Sequence, residues 1–230
     1  MENERSSKVV AIVALCVGVV GLSLGFAAFS STLTISSSAG VKPNSETFNV
    51  DFSTTDATGA DVEITTDPVV PTKNPDSIEA ANATIDNVDE PTITGLKANF
   101  TAPGQSVTYT FYAHNAGEYE AFLNSILINE TSEGSGKTKI CTASPQSESN
   151  PNPANQDLVD DACEAISLSI KVGDEAVTNT SIPSITGHSL AQDTSELVTV
   201  TIDYAVDGPR ADGNFSVAFG DITLVYDSVE

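Results

Sequence analysis

The chain is poor in the residues with which proteins bind nucleic acid and carry out most catalysis. Its 230 residues include no Trp, two His, three Cys and nine Lys or Arg, against 32 Asp or Glu, so the formal net charge is −23. Binding to nucleic acid or anionic lipid headgroups needs a basic patch, and nine scattered basic residues do not form one. The composition therefore excludes nucleic acid as a partner.

Catalytic and metal-binding motifs are also missing from the sequence. His114 and His188 each stand next to a turn sequence, outside any His-x-x-x-His or Glu-x-x-His pattern. No Gly-x-Ser-x-Gly elbow occurs, although a Ser-His-Asp triad is assembled only by folding and has no fixed spacing. We predict no catalytic residues and no enzymatic activity.

One acidic cluster is a candidate for calcium, because hard cations prefer carboxylate oxygens. The simpler interpretation is the solvated face of a short helix, so we predict no metal cofactor and keep calcium as a candidate ligand only. The cluster consists of Asp157, Asp160, Asp161 and Glu164.

What the sequence does contain is one long hydrophobic run near its beginning. From Val9 to Phe29, 17 of 21 residues are apolar, and residues 1–28 carry no net charge, so the whole −23 follows Phe29. A run of this length is sufficient for a membrane-spanning helix. We predict that residues 1–29 form a signal peptide or a transmembrane signal anchor, and that residues 30–230 are exported as an extracellular domain.

The sequence leaves open whether the hydrophobic segment is cleaved. Small residues precede the end of the run, which favours signal-peptidase cleavage at Ala27, Ala28 and Phe29. The run is longer than a usual signal-peptide core, which favours an uncleaved anchor that binds the membrane. The chain is therefore expected at the cell surface, either secreted or anchored by residues 9–29.

Two cysteines lie in the exported part, Cys141 and Cys163, whereas Cys16 lies within the apolar run. In an oxidising compartment this pair predicts one disulfide, with two free thiols as the alternative. The bond would close a loop of 21 intervening residues and stabilise the fold by about 3 kcal/mol. We predict that it tethers an insertion at 131–163, which ends in a short helix near Gln156.

The exported part shows a period of two rather than a helical period. Apolar and polar residues alternate in nine or ten short segments, including Phe48–Phe52, Val62/Ile64, Ile93–Phe100, Val107–Phe111 and Val198–Tyr204, and Asp, Asn, Gly and Pro separate them. The segment 65–76, which contains three prolines, is predicted to be a surface loop. Short turns between adjacent strands favour antiparallel pairing. The predicted fold is an all-β antiparallel sandwich or jelly roll preceded by an N-terminal hydrophobic helix.

Three short motifs resemble the TasA/camelysin-type secreted fibre proteins of bacterial biofilms. They are the apolar segment ending at Phe29 and followed by strands, the stretch Ala102–Phe111 leading to Asn115-Ala-Gly117, and the closing hairpin Gly213–Tyr226. The resemblance implies a jelly-roll subunit, released by a dedicated signal peptidase, that polymerises by donor-strand exchange. The tethered insertion departs from the family pattern, and the protease activity linked to camelysin-type members is not carried over.

The sequence therefore supports two functional hypotheses, both non-enzymatic. In the first, cleavage frees residues 30–38, and the alternating strand with Leu33 and Ile35 on one face completes the sheet of a neighbouring copy, which builds a filament. In the second, an anchored monomer displays the 131–163 loop as a surface binding or adhesion site. The partners are accordingly other copies of the chain or neighbouring surface proteins.

Overall fold

The computed structural model describes residues 48–59, 62–131, 136–145, 154–178 and 188–228, all within one compact unit, Lys42–Glu230. The hydrophobic segment 1–29, the cleavage residues Ala27, Ala28 and Phe29, and the donor-strand residues Leu33 and Ile35 lie outside the described residues. In the part of the chain that is described, no helix is long and apolar enough to cross a membrane.

The described residues form fifteen strands and one short helix. In chain order they are β1 (Val50–Ser53), β2 (Thr72–Asn74), β3 (Glu79–Ala80), β4 (Thr84–Asp86), β5 (Thr92–Thr94), β6 (Lys97–Phe100), β7 (Ser106–Asn115), β8 (Ala121–Ile128), β9 (Lys139–Ala143), α1 (Gln156–Glu164), β10 (Ile166–Val172), β11 (Glu175–Thr178), β12 (His188–Leu190), β13 (Ser195–Tyr204), β14 (Phe215–Phe219) and β15 (Ile222–Ser228).

Every described strand pairing is antiparallel, as the short turns predicted. The first sheet has the order β1-β7-β13-β10-β11, and β2 also pairs with β7 beyond the end of β1. Two further sheets have the orders β12-β8-β15-β5-β4 and β3-β6-β14-β9. Strands that follow each other in the chain, such as β14 and β15, belong to different sheets of this pair. The chain therefore passes directly from one of these two sheets into the other.

The core lies between the first sheet and the other two. Tyr204 of the first sheet makes edge contacts with Phe100 and Phe215 of the opposite layer, with ring centroids 5.8 and 5.7 Å apart. The Tyr109 hydroxyl crosses the same interface and donates to the Ala81 carbonyl at 2.9 Å. These buried aromatic contacts make the fold a β-sandwich, which confirms the all-β antiparallel prediction.

Two glycines mark the place where the strands of the second layer break into halves. Gly95, between β5 and β6, has a φ of +78°, which residues with a side chain rarely adopt. At Gly220, between β14 and β15, a Cβ atom would lie 1.8 Å from the Asn129 carbonyl oxygen. Only a residue without a side chain fits this close approach of two backbones.

Several details of the sequence prediction are wrong. The segment 93–100, expected as one strand, is two strands because of Gly95, and Val62 and Ile64 belong to no strand. The segment 65–76, interpreted as a surface loop, contains the edge strand β2 between Pro71 and Pro75. Six short strands carry too little alternation to be recognised: β2, β3, β4, β9, β11 and β12.

The predicted insertion at 131–163 also needs correction. Its middle forms β9, which pairs with β14 along Lys139–Ala143 and is therefore part of the sandwich rather than a loop outside it. The short helix is present as α1, and the Cys141–Cys163 disulfide joins it to β9 as predicted. The disulfide is consistent with an oxidising, extracellular compartment.

Candidate functional site

The outermost strands are the candidate functional site of this fold, because a β-sheet edge offers unpaired backbone groups to another strand. The described part of the chain protects most of its edges, each in a different way. The protected positions are the edges of β1, β2 and β9 and the link between β3 and β4.

Strand β1 is protected by a side-chain amide. Asn87 accepts a hydrogen bond from the Phe52 N–H at 2.8 Å and donates to the Phe52 carbonyl at 2.9 Å, so its carboxamide takes the place of a neighbouring strand. The next outward group, the Thr54 N–H, donates to the Thr65 carbonyl at 3.0 Å. A further strand therefore has no free backbone groups to pair with at Phe52 and Thr54.

Proline and short bridges protect two other edges. Strand β2 is three residues long, lies between Pro71 and Pro75, and carries Lys73 at its centre. Proline and lysine both disfavour pairing with another strand. Between β3 and β4, Ala83 exchanges two backbone hydrogen bonds with Val69, each 3.0 Å long.

Helix α1 protects the outer edge of β9. The Gln156 side chain accepts from the Ala143 N–H and donates to the Cys141 carbonyl, both at 3.0 Å. Val159 and Ala162 are fully buried beneath the helix. The Cys141–Cys163 disulfide fixes the last turn of α1 to the same strand, with 5.9 Å between the two Cα atoms.

Lys139 supplies the charge that the end of the helix lacks. The last turn of α1 has no basic residue, although cations stabilise helix C-termini. The Lys139 ammonium group of β9 donates to the Cys163 and Ile166 carbonyls at 2.6 and 2.7 Å. Burial lowers the pKa of Lys139, and the nearby Glu164 carboxylate partly offsets this shift.

The outer side of β8 is the longest edge for which the described residues provide no partner. Strand β12 pairs with Ala121–Leu123 only, so within the described ranges Asn124–Ile128 have no strand on that side. This part of β8 contains no charged residue, and the Leu127 side chain is 47% exposed. The outer side of β11 also has no described partner, but that strand begins with Glu175 next to Asp174.

A Ser-His-Asp row lies on the outer face of the first sheet. Asp51 and Ser195 stand opposite His114 on the two neighbouring strands, and the His114 Nδ1 atom lies 3.2 Å from the Ser195 Oγ. Sequence spacing gives no indication of this row, because folding alone brings the three residues together.

The hydrogen bonds of this row do not create a nucleophile. The Ser195 hydroxyl donates its one proton to the Ala57 carbonyl, so it accepts from His114 Nδ1–H rather than donating to it. His114 is 2% exposed, beneath the segment that contains Ala57. Burial raises the pKa of Asp51, while a hydrogen bond from Asn49 and the positive charge of His114 oppose the shift. The row ties the segment around Ala57 to the sheet.

The calcium candidates all lie on α1. Asp160 accepts a hydrogen bond from Gln156 Nε2 at 2.7 Å, and all four carboxylates are on exposed residues. Across the residues that the structure describes, no group of three or more His, Cys, Asp or Glu is arranged to hold a metal ion.

Comparison with protein-family models, with curated proteins and with solved structures finds no match for this chain. The TasA/camelysin resemblance therefore remains a prediction from the three short motifs. Sequence reasoning missed Asn87 and Gln156, whose edge-capping roles have no motif. A lone Asn or Gln near a strand is too common to indicate such a role.

Proposed function

We propose that this chain is a non-enzymatic structural protein of the cell surface, a TasA-like fibre subunit that assembles by donor-strand exchange. The donor is residues 30–38, freed by cleavage near Ala28, and the acceptor is the outer edge of β8 at Asn124–Ile128 in the next copy. The partners are thus other copies of the same chain.

The observation that carries this proposal is the contrast between β8 and the other edges. Carboxamides, prolines and a tethered helix cover outer groups of β1, β2 and β9, and a backbone bridge occupies Ala83 between β3 and β4, whereas five consecutive residues of β8 have no described partner on one side. An apolar donor strand suits this edge better than β11, because Leu33 and Ile35 would meet Leu127 rather than Glu175. A head-to-tail contact of this kind is heterologous and builds an open filament.

The competing hypothesis, an anchored monomer that binds through the 131–163 loop, has no such observation in its favour. The described parts of that segment are used in the sheet as β9 and in covering its edge as α1. We therefore develop the fibre hypothesis alone.

The first test is the substitution Ile35→Asp in the full chain, with Thr34→Asp as the matched control on the opposite face of the donor. Ile35→Asp should abolish fibres in electron micrographs of the surface fraction and leave a soluble subunit, while Thr34→Asp should retain them. Unchanged fibres in Ile35→Asp would contradict donor-strand exchange through this segment.

The second test locates the acceptor by cysteine cross-linking in a Cys16→Ser background. Leu33→Cys combined with Leu127→Cys should give a ladder of covalent oligomers after mild oxidation. Leu33→Cys combined with Leu197→Cys is the control, because Leu197 lies on the other sheet with a similar exposure of 38%. Equal ladders from both pairs, or none from Leu127→Cys, would refute the assignment of β8.

A further inference from the structure

Helix α1 is held on the edge of β9 by one disulfide bond and a small set of noncovalent contacts. Isolated helices shorter than about 12 residues are marginal in water, and α1 has nine. Asn155 caps its N-terminus and Asp157 is favourable in its first turn, but its last turn has no basic residue and carries the acidic Glu164 where a cation is favoured. Its position therefore rests on the disulfide, the Lys139 ammonium group, the Gln156 amide and two small buried side chains.

We infer that α1 is a latch on the β9 edge, that reduction of the Cys141–Cys163 disulfide releases it, and that the freed edge pairs with β9 of a second copy. The reductant is a dithiol. It transfers two electrons and two protons, the S–S bond breaks, two cysteine thiols form, and the dithiol closes to its own disulfide. Cys163 is only half-buried, so the bond is within reach of a small thiol.

The backbone groups that α1 covers are complementary to a second copy of themselves. Gln156 occupies the Cys141 carbonyl and the Ala143 N–H, which point away from β14. In an antiparallel pair of two β9 strands, Cys141 of one copy and Ala143 of the other exchange both backbone hydrogen bonds. The same exchange occurs a second time by symmetry, with Thr142 of one copy directly opposite Thr142 of the other.

Charge makes β9 a suitable edge for this contact. In a chain of net charge −23, the segment Lys137–Ala143 has two lysines and no carboxylate. The outer strands β1, β3, β4 and β11 each carry an Asp or Glu, so pairing there would bring like charges together. With Thr142 opposite Thr142, Lys139 of one β9 lies opposite Pro145 of the other copy, so it does not face a second lysine.

The experiment compares the oxidised and dithiol-reduced full chain in a Cys16→Ser background, in mild detergent. Hydrogen exchange measures whether α1 still covers the β9 edge, and sedimentation velocity measures whether a dimer has formed. In the Thr142→Glu variant, whose facing carboxylates oppose dimerisation, reduction should speed exchange at Ala143 by at least about tenfold, because its amide loses Gln156 and gains no new partner. Central amides of β13 should stay protected, which shows that the sandwich persists. Without the Thr142→Glu substitution, the sedimenting mass should double on reduction.

A charge variant separates dimerisation through β9 from other association. The double variant Cys141→Ser with Cys163→Ser should dimerise without reductant. Adding Thr142→Glu should abolish that dimer, because two carboxylates then face each other, whereas adding Thr142→Gln should retain it. Thr142 is exposed in the latched protein, so neither substitution disturbs the oxidised monomer.

Each result has a definite meaning. Unchanged protection of Ala143 in fully reduced Thr142→Glu would refute the latch. Loss of that protection with no dimer in the chain that keeps Thr142, or a dimer that tolerates Thr142→Glu, would refute the second copy as the partner. Repeating the measurement with Ile35→Asp, which disables the proposed donor, should leave the reduction-dependent dimer intact and so separates this inference from the proposed fibre.

Discussion

Substitution of Asn87 tests how the sandwich protects the outer edge of β1, because the Asn87 carboxamide covers that edge. Asn87→Ala removes both hydrogen bonds to the Phe52 backbone, at 2.8 and 2.9 Å. The side chain of Phe52 is fully buried and packs on Phe111 with 4.7 Å between ring centroids, so β1 cannot move far to find new partners. The substitution leaves a donor and an acceptor unpaired at a fixed position.

The magnitude follows from these two groups. A neutral hydrogen bond contributes about 1 kcal/mol net, and an unpaired buried group costs about 1–3 kcal/mol. Asn87 itself is half-buried, so water reaches part of the vacated space and the lower half of that range applies. We expect the free energy of unfolding to fall by about 2–3 kcal/mol, which corresponds to about 4–12 °C in melting temperature for a domain of this size.

The assay is denaturant unfolding of the full chain, with the slope m checked for constancy. Asn99→Ala is the matched control, because it removes one exposed hydrogen bond, from Asn99 Nδ2 to Glu79 at 3.1 Å, and should change stability by less than about 0.5 kcal/mol. Asn87→Asp keeps an acceptor but loses the donor, so it should lie between the wild type and Asn87→Ala. Equal effects of Asn87→Ala and Asn99→Ala would refute the capping role.

Two pH-dependent predictions follow from buried ionisable groups. Burial raises the pKa of Tyr109 to about 12, and its hydroxyl donates to the Ala81 carbonyl, so stability should be lost as the pH rises from 10 to 12. Tyr109→Phe should be less stable at pH 7 by about 1–2 kcal/mol and show a flatter alkaline loss, measured by denaturation with absorbance titration of the phenolate; an equally steep loss would count against it. Burial raises the pKa of Asp51 above 3.8, so the ionised carboxylate destabilises the folded state at neutral pH. This destabilisation disappears as the pH falls and the carboxyl group is protonated. Asp51→Asn should therefore unfold at higher denaturant than the wild type at pH 7 and at the same concentration below pH 3.8; a lower midpoint at pH 7 would show that attraction to His114 outweighs desolvation.

The long strands were predictable because one face of each is fully apolar. In β7 the buried residues Val107, Tyr109 and Phe111 alternate with more exposed ones, and β10 and β13 show the same pattern. Alternation over seven to ten residues specifies both the strand and the face that it buries. The disulfide was predictable for a different reason, since the two cysteines outside the hydrophobic run leave only one pairing.

The short strands were not predictable, since two to five residues carry too few alternations to distinguish a strand from a loop. In β9 the sequence Lys139-Ile-Cys-Thr-Ala143 includes one large aliphatic residue, Ile140, and follows a stretch rich in Ser and Gly. Pairing with β14 specifies this strand, and its partner lies more than 70 residues away. The residues near β9 in the sequence do not indicate this distant partner.

The edge caps show most clearly where local sequence reasoning fails. Asn87 lies 35 residues from Phe52, and Gln156 lies 13 residues from Ala143, yet each provides a donor and an acceptor to the outer backbone of a strand. The chemistry that matters is a carboxamide at a particular place in space, and either residue type at another place would simply be solvated. Among the described residues, carboxamides block the outer groups of β1 and β9, whereas residues of β8 and β11 have no described partner on one side. Such a difference between edges, rather than any motif, is what the proposed head-to-tail filament requires.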